Sequence, residues 1–258
     1  MKVVILAGGF GTRLEGETLL KPKPMVELGG RPLLWHIMRR FASYGFDEFV
    51  VALGYLGDVI KRYFLDYHRM NGDFTVRLAD GAVEWDHAVE ERWTVRLVDT
   101  GVGTATGGRL RRLRRHLGDG TFLMTYGDGL ADIDVGDLVH FHRSHGRDAT
   151  VTAVRPPARF GALALDDDDV VTRFAEKSSV DEGWINGGFF VLEPAVLDRI
   201  TSDDTEWERG PLEGLACDGE LRAFRHDGFW QGIDTPRDLR RLQAMCEKGD
   251  MLWQRGAR

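Results

Sequence analysis

Val3-Val4-Ile5-Leu6-Ala7-Gly8-Gly9-Phe10-Gly11-Thr12-Arg13-Leu14 is the stretch on which the fold turns. Five consecutive apolar residues closed by a glycine pair read as a strand buried on both faces that opens into a loop, as in a parallel sheet covered by helices. Downstream, Leu33, Leu34, Ile37, Met38 and Phe41 recur at helical spacing after Pro32, Gly45 supplies a stop, and residues 49–53 form a second short apolar run. That is a strand–loop–helix–strand unit. Val59, Ile60, Tyr63, Phe64 and Tyr67 mark another helix, Phe74, Val76 and Leu78 alternate, and residues 95–98 read as a strand. A helix carrying Leu110, Leu113 and Leu117 follows Gly107-Gly108, and residues 122–125 form a buried strand closed by Tyr126-Gly127-Asp128-Gly129. Alternating strands and helices imply right-handed crossovers and a mainly parallel sheet with helices on both faces. From Ala149 the strand-like segments crowd together at 150–154, 162–165 and 170–174, an antiparallel pattern, and a helix from Pro236 to about Glu247 closes the chain. No linker, repeat or low-complexity tract divides it, so residues 1–258 are expected to form one α/β domain.

Composition narrows the function. Of the 258 residues 43% are hydrophobic, and 34 Lys+Arg stand against 41 Asp+Glu, a formal net charge of −7. That balance argues against a nucleic acid partner, whose binding draws on clustered cations. Any anionic ligand must be held locally. No apolar run approaches the ~20 residues needed to cross a bilayer, and residues 1–6 are too short for a signal peptide, so a soluble, cytoplasmic protein with no membrane partner is expected. Cys217 and Cys246 stand apart from any Cys-x-x-Cys or His cluster and read as reduced, packed thiols. His140, His142 and His145 read as a helix surface rather than a metal site.

Two segments invite a phosphate. Glycines after a strand let backbone N–H groups approach an anion with no side chain between. Leu14 occupies the third-glycine position of the dinucleotide fingerprint, and Gly-Lys-Ser/Thr is absent, so neither standard phosphate loop is present. In Lys21-Pro22-Lys23-Pro24 two prolines stiffen the backbone outside a helix and project the lysines from an extended segment. Taken singly, the first segment also reads as a plain tight turn and the second as a solvated basic stretch.

Together they resemble the signature of the sugar-1-phosphate nucleotidylyltransferases, in which Gly9-Phe10-Gly11-Thr12-Arg13-Leu14 is followed about ten residues later by Lys-Pro-Lys-Pro-Met-Val. The resemblance is strongest to the glucose-1-phosphate cytidylyltransferase branch. It extends over nearly the whole chain through 34–38, 98–101, Thr106-Gly107-Gly108-Arg109-Leu110, 126–129, 159–163, Asn186-Gly187-Gly188-Phe189-Phe190 and Phe229-Trp230-Gln231 before Asp234-Thr235. It implies a Rossmann-like fold with a nucleotide-binding half of about residues 1–130, a smaller antiparallel sugar-phosphate-binding part within about 131–258, and assembly as a homo-oligomer. The implied reaction joins CTP to glucose 1-phosphate, giving CDP-glucose and pyrophosphate.

The chemistry accounts for the residue types. A sugar phosphate oxygen attacks the α-phosphorus of a nucleoside triphosphate; the nucleophile is already anionic, so charge neutralisation and alignment are the task. Arg13 and Lys23 suit the triphosphate and Lys177 the sugar phosphate. Mg²⁺ prefers one or two carboxylates plus substrate phosphates, and the resemblance assigns it Asp128 and Asp234. The nucleotide is expected on Leu6, Ala7, Gly8, Gly9, Gly11, Thr12, Thr106, Gly108 and Arg109, with Arg109 donating to the base or else lying on a wet helix face. Arg111, Arg112, Arg114 and Arg115 read as a solvated face. Tyr126, Gly127, Glu176, Asn186 and Gly187 are expected around the sugar. Two departures from the branch, Ser178 in place of a proline and Gly232-Ile233 in place of Pro-Met, are expected to loosen their loops. A different base, a different sugar or cyclitol phosphate, and an inert regulatory subunit of the same fold stay open. So does a glycosyltransferase using Asp132-Ile133-Asp134.

Overall fold

The computed structural model describes residues 1–11, 20–86, 90–156, 162–165, 170–175 and 183–256. The strands are β1 (Val3–Leu6), β2 (Glu27–Leu28), β3 (Arg31–Pro32), β4 (Glu48–Leu53), β5 (Phe74–Arg77), β6 (Ala82–Trp85), β7 (Thr94–Asp99), β8 (Phe122–Tyr126), β9 (Gly129–Ala131), β10 (Ala149–Val154), β11 (Ala162–Leu165), β12 (Val171–Ala175), β13 (Ile185–Leu192), β14 (Leu221–His226) and β15 (Trp230–Gly232). The α-helices are α1 (Leu33–Ala42), α2 (Gly57–Met70), α3 (Thr106–Leu117), α4 (Val135–His145), α5 (Pro211–Cys217) and α6 (Pro236–Glu247).

Seven strands make the main sheet in the order β14-β10-β13-β8-β1-β4-β7. All run one way except β13, which pairs antiparallel with both β10 and β8. β1 lies between β4 and β8, Ile5 standing beside Val51 on one side and Thr125 on the other. Alternation along β1 divides the core. Val3 and Ile5 face α1, α2, α4 and α6, whereas Val4 and Leu6 face α3 and α5. All four side chains are buried, as the unbroken apolar run requires. Among the described residues no helix is long and apolar enough to cross a membrane.

Beyond residue 149 the sheet departs from the expected hairpins. The antiparallel pattern holds for β10–β13 and β11–β12, but β10 and β14 pair parallel and extend the main sheet, and β15 pairs with the distant β9. The reason lies in Leu221–His226, whose spaced apolar residues gave no strong signal, yet which line up beside all six residues of β10. The alternating segment at Phe74 is an exposed hairpin, β5–β6, outside the main sheet.

α3 begins at Thr106 and so includes both glycines rather than following them. A Cβ on Gly108 would lie 2.1 Å from the carbonyl oxygen of Asp203, and one on Gly107 2.7 Å from that of Thr205. The bare backbone lets the 203–208 segment lie against the first turn, where Ala105 N–H donates to Asp203 O (2.9 Å) and Gly108 N–H to Thr205 O (3.2 Å). Gly108→Ala should therefore lower stability in urea denaturation by about 1–3 kcal/mol through overpacking. Gly120→Ala, with nothing within 4 Å of the new methyl, should stay within about 0.5 kcal/mol of the parent. Equal stability of the two variants would refute the close-approach reading.

Candidate active site

A cavity of about 790 Å³ opens at the carboxyl ends of the parallel strands. The chain winds from β1 outward through β4 to β7, then returns through α3 to β8 on the other side of β1. The gap between β1 and β8 is thus a topological switch point, where open α/β sheets bind ligands. Residues 8–11 after β1 and the turn after β8 form its floor.

Of the expected residues, Leu6, Ala7, Gly8, Gly9, Gly11, Lys23, Thr106, Arg109, Tyr126, Gly127, Asp128, Asn186 and Asp234 line this one cavity. Gly108 and Gly187 stand behind its wall, Gly108 against Asp203 and Gly187 against Val154, with Gly187 O accepting from Trp230 Nε1 (2.8 Å). Thr12, Arg13, Glu176, Lys177 and Ser178 lie outside the described residues, as do residues 159–161 of the 159–163 motif.

Local folding explains how distant residues meet. The Lys21–Pro24 segment is not extended throughout: Lys23–Met25 makes a single 3-10 turn, because proline is tolerated in a first helical turn. Pro24 packs on Gly127, where a Cβ would lie 2.8 Å from Pro24 Cγ. The two lysines part company, Lys21 pairing on the surface with Glu27 (2.6 Å) while Lys23 turns inward. Asp128 precedes β9 and Asp234 follows β15. The β9–β15 ladder sets Gly129 beside Gly232, and Ile233 N–H donates to Asp128 O (2.9 Å). Gly232-Ile233 is therefore pinned rather than loosened: Gly232, at the position of the missing proline, is paired in the ladder, and Ile233, at the position of the methionine, is fully buried. A capping box begins α6, with Asp238 Oδ2 accepting from Thr235 N–H (2.9 Å) and Asp234 N–H (3.2 Å). The two carboxylates end up bridged by Lys23 Nζ, 2.8 Å from Asp128 Oδ2 and 3.0 Å from Asp234 Oδ1.

Arg109 overturns the wet-face reading of it. It is 4% exposed, so it lies on no wet face. Its fork is engaged by the protein itself: Nη1 donates to Thr100 Oγ1 (2.7 Å), Gly101 O (2.8 Å) and Leu53 O (3.0 Å), and Nη2 to Gly8 O (3.0 Å) and Val102 O (3.2 Å). Burial, then the charge of Arg112, holds its pKa below the ordinary value. The guanidinium straps the glycine loop to the 100–102 loop, and a Cβ on Gly8 would run into it at 2.3 Å. Arg112 and Arg114 do pair outward, with Asp203 and Asp198.

Glu208 was not legible in the sequence. Its carboxylate accepts from Tyr126 Oη (2.5 Å) and Thr106 Oγ1 (2.7 Å), and Thr106 Oγ1 accepts from Trp207 N–H (2.8 Å). Burial, then Glu208, pushes the Tyr126 phenol up, which keeps it a neutral donor. The only hint was Gly107-Gly108, which admits the segment carrying Glu206 and Glu208 to the cavity wall.

The Asp132-Ile133-Asp134 alternative dissolves. Asp132 faces His226 (3.0 Å), Asp134 caps α4 by accepting from Asp137 N–H (2.8 Å), and neither lines the cavity. His142 is not on a surface; it is buried between Thr150 Oγ1 (2.9 Å) and Glu193 Oε1 (3.1 Å). Cys217 is exposed rather than packed. Among the described residues no group of three or more His, Cys, Asp or Glu could hold a metal. The Asp128–Asp234 pair nevertheless suits Mg²⁺, which keeps waters and substrate oxygens as its other ligands. A cation, the Lys23 ammonium, already sits between the two carboxylates.

Residues 2–244 match the nucleotidyl transferase family model. The chain is 51% identical over 255 residues to glucose-1-phosphate cytidylyltransferase of Salmonella typhi, covering 98% of this chain and 99% of that one. It is equally similar, with the same coverage, to the enzyme of that name from Salmonella typhimurium. Among solved structures, HddC from Yersinia pseudotuberculosis superposes with a TM-score of 0.69 at 25% identity, covering 96% of this chain and 99% of HddC.

Removing the Arg109 strap leaves buried acceptors unpaired. Arg109→Ala should cost about 3 kcal/mol or more in urea denaturation, and Arg109→Lys should recover less than half of that, since an ammonium lacks the planar fork. Parent-like stability in Arg109→Ala would mean that the strap holds nothing.

Proposed function

The chain belongs to the nucleotidyl transferase family, and on that footing we propose that it transfers the cytidylyl group of CTP to glucose 1-phosphate, releasing pyrophosphate and CDP-glucose. The observation that carries this reading is the convergence of Lys23, Asp128 and Asp234 beside the glycine loop in one cavity at the switch point. The high identity to glucose-1-phosphate cytidylyltransferases over nearly the full length supports the choice of base and sugar.

In this reading the backbone of Gly8, Gly9 and Gly11, which lines the cavity, receives the nucleotide, and Lys23 neutralises triphosphate oxygens. Arg13, next to the loop in sequence, is assigned the same task by the shared motif. Tyr126 and Asn186, at the β8–β13 side of the cavity, face the sugar, with Glu176 and Lys177 assigned by motif to its hydroxyls and its phosphate. An oxygen of the sugar phosphate forms a bond to the α-phosphorus while the bond to the bridging oxygen of pyrophosphate breaks. No proton need leave the nucleophile, so the side chains act by orienting two polyanions and lowering their repulsion. Asp128 and Asp234 would hold Mg²⁺, which when bound supplies charge stabilisation at phosphate oxygens. Arg109 acts through the loops it straps, as a positioning residue.

A matrix of nucleoside triphosphates against sugar 1-phosphates, read by pyrophosphate release, should give its highest kcat/KM for CTP with glucose 1-phosphate; a preference for another pair replaces the substrate assignment. Asp128→Asn and Asp234→Asn should each lower kcat by about 10²–10³-fold with the circular dichroism spectrum retained. Full turnover in both variants would remove the metal assignment.

A further inference from the structure

The place of Lys23 is unusual for a side chain meant only for phosphate. Its Nζ lies within hydrogen-bonding distance of both Asp128 and Asp234. Its side chain is 11% exposed, whereas those of Asp128 and Asp234 are 43% and 37% exposed, and all three line the cavity. The ammonium is thus the most enclosed of the three groups, and both carboxylates are partly exposed in the cavity. An ammonium has three donors and no acceptor. Two of them are engaged by carboxylates, so Lys23 cannot serve triphosphate oxygens fully without releasing at least one. A divalent ion drawn to the same two carboxylates would meet a positive charge at the point it must occupy.

We infer that Lys23 is an exchangeable internal cation. Without nucleotide its ammonium takes the divalent ion's place between Asp128 and Asp234. When the triphosphate arrives, Lys23 turns to it and yields the carboxylates to the ion. The turn Lys23–Met25 is anchored by Pro24 on Gly127, so the exchange asks only for a rotamer change of a long side chain that already lines the cavity. Ion and triphosphate then bind as a linked pair. The ammonium resists the ion alone, the carboxylates withhold the ammonium from the triphosphate alone, and each ligand removes the obstacle to the other. Such coupling is reciprocal.

The inference rests on the metal assignment of Asp128 and Asp234 proposed above, and the test separates the two. Mn²⁺ alone, with no nucleotide, is titrated into the full chain and followed by electron paramagnetic resonance of the free ion. Lys23→Met should bind Mn²⁺ about tenfold more tightly than the parent, within the range by which linked sites usually couple. The gain should vanish in Lys23→Met/Asp128→Asn. Lys23→Arg, which keeps a cation, should stay near the parent. Lys23→Gln is the second neutral variant where the methionine disturbs the fold, with thermal melting by circular dichroism as the check. If binding depends on Asp128 but neither neutral variant gains affinity, the exchange is refuted while the metal assignment stands. If Asp128→Asn/Asp234→Asn binds Mn²⁺ as the parent does, the metal assignment fails and the exchange falls with it.

Discussion

Two carboxylates from opposite halves of the chain are brought to one spot, and the Lys23 ammonium lies against both and offsets their mutual repulsion. That contact of Lys23 with Asp128 and Asp234 depends on much of the remaining architecture. The winding of β1, β4, β7 and β8 creates the gap, the β9–β15 ladder brings the second aspartate to the first, and the capping box of α6 fixes the backbone behind it. The like charges cost little while the cation is present. The site is thereby preorganised around positive charge, which suits it to a reaction whose difficulty is electrostatic rather than one of proton transfer.

The strongly periodic parts of the fold were legible. The apolar run at β1, the helical spacing in α1 and the boundaries of α6 follow from local chemistry that tertiary context had no reason to overrule. β14 was not legible, because a strand at the border of a sheet, with its residues exposed or half-buried, lacks an apolar signature and is defined by its neighbour β10. Nor was the 3-10 turn at Lys23, since the same prolines permit both an extended segment and a first helical turn.

At the site, residue types carried further than residue roles. Lys23, Asp128, Asp234 and the glycine loop share a cavity as the motifs taken together imply, although each alone also reads as a turn or a solvated stretch. Arg109 shows the opposite case. An arginine four residues into a helix can face water, a ligand or the backbone, and only the carbonyls of two loops converging on it decide among the three. Glu208 escaped because nothing near it in sequence betrays that glycines a hundred residues earlier make room for its segment.

Glu208 touches Thr106 at the start of α3 and Tyr126 at the end of β8 with its two oxygens. A single carboxylate therefore answers to both walls of the cavity. Drift on one wall is felt on the other, so a lineage that altered the start of α3 would inherit a displaced phenol before any selection had acted on it. Changes of ligand preference in this scaffold should consequently be epistatic, with the order in which substitutions accumulate deciding which routes stay open.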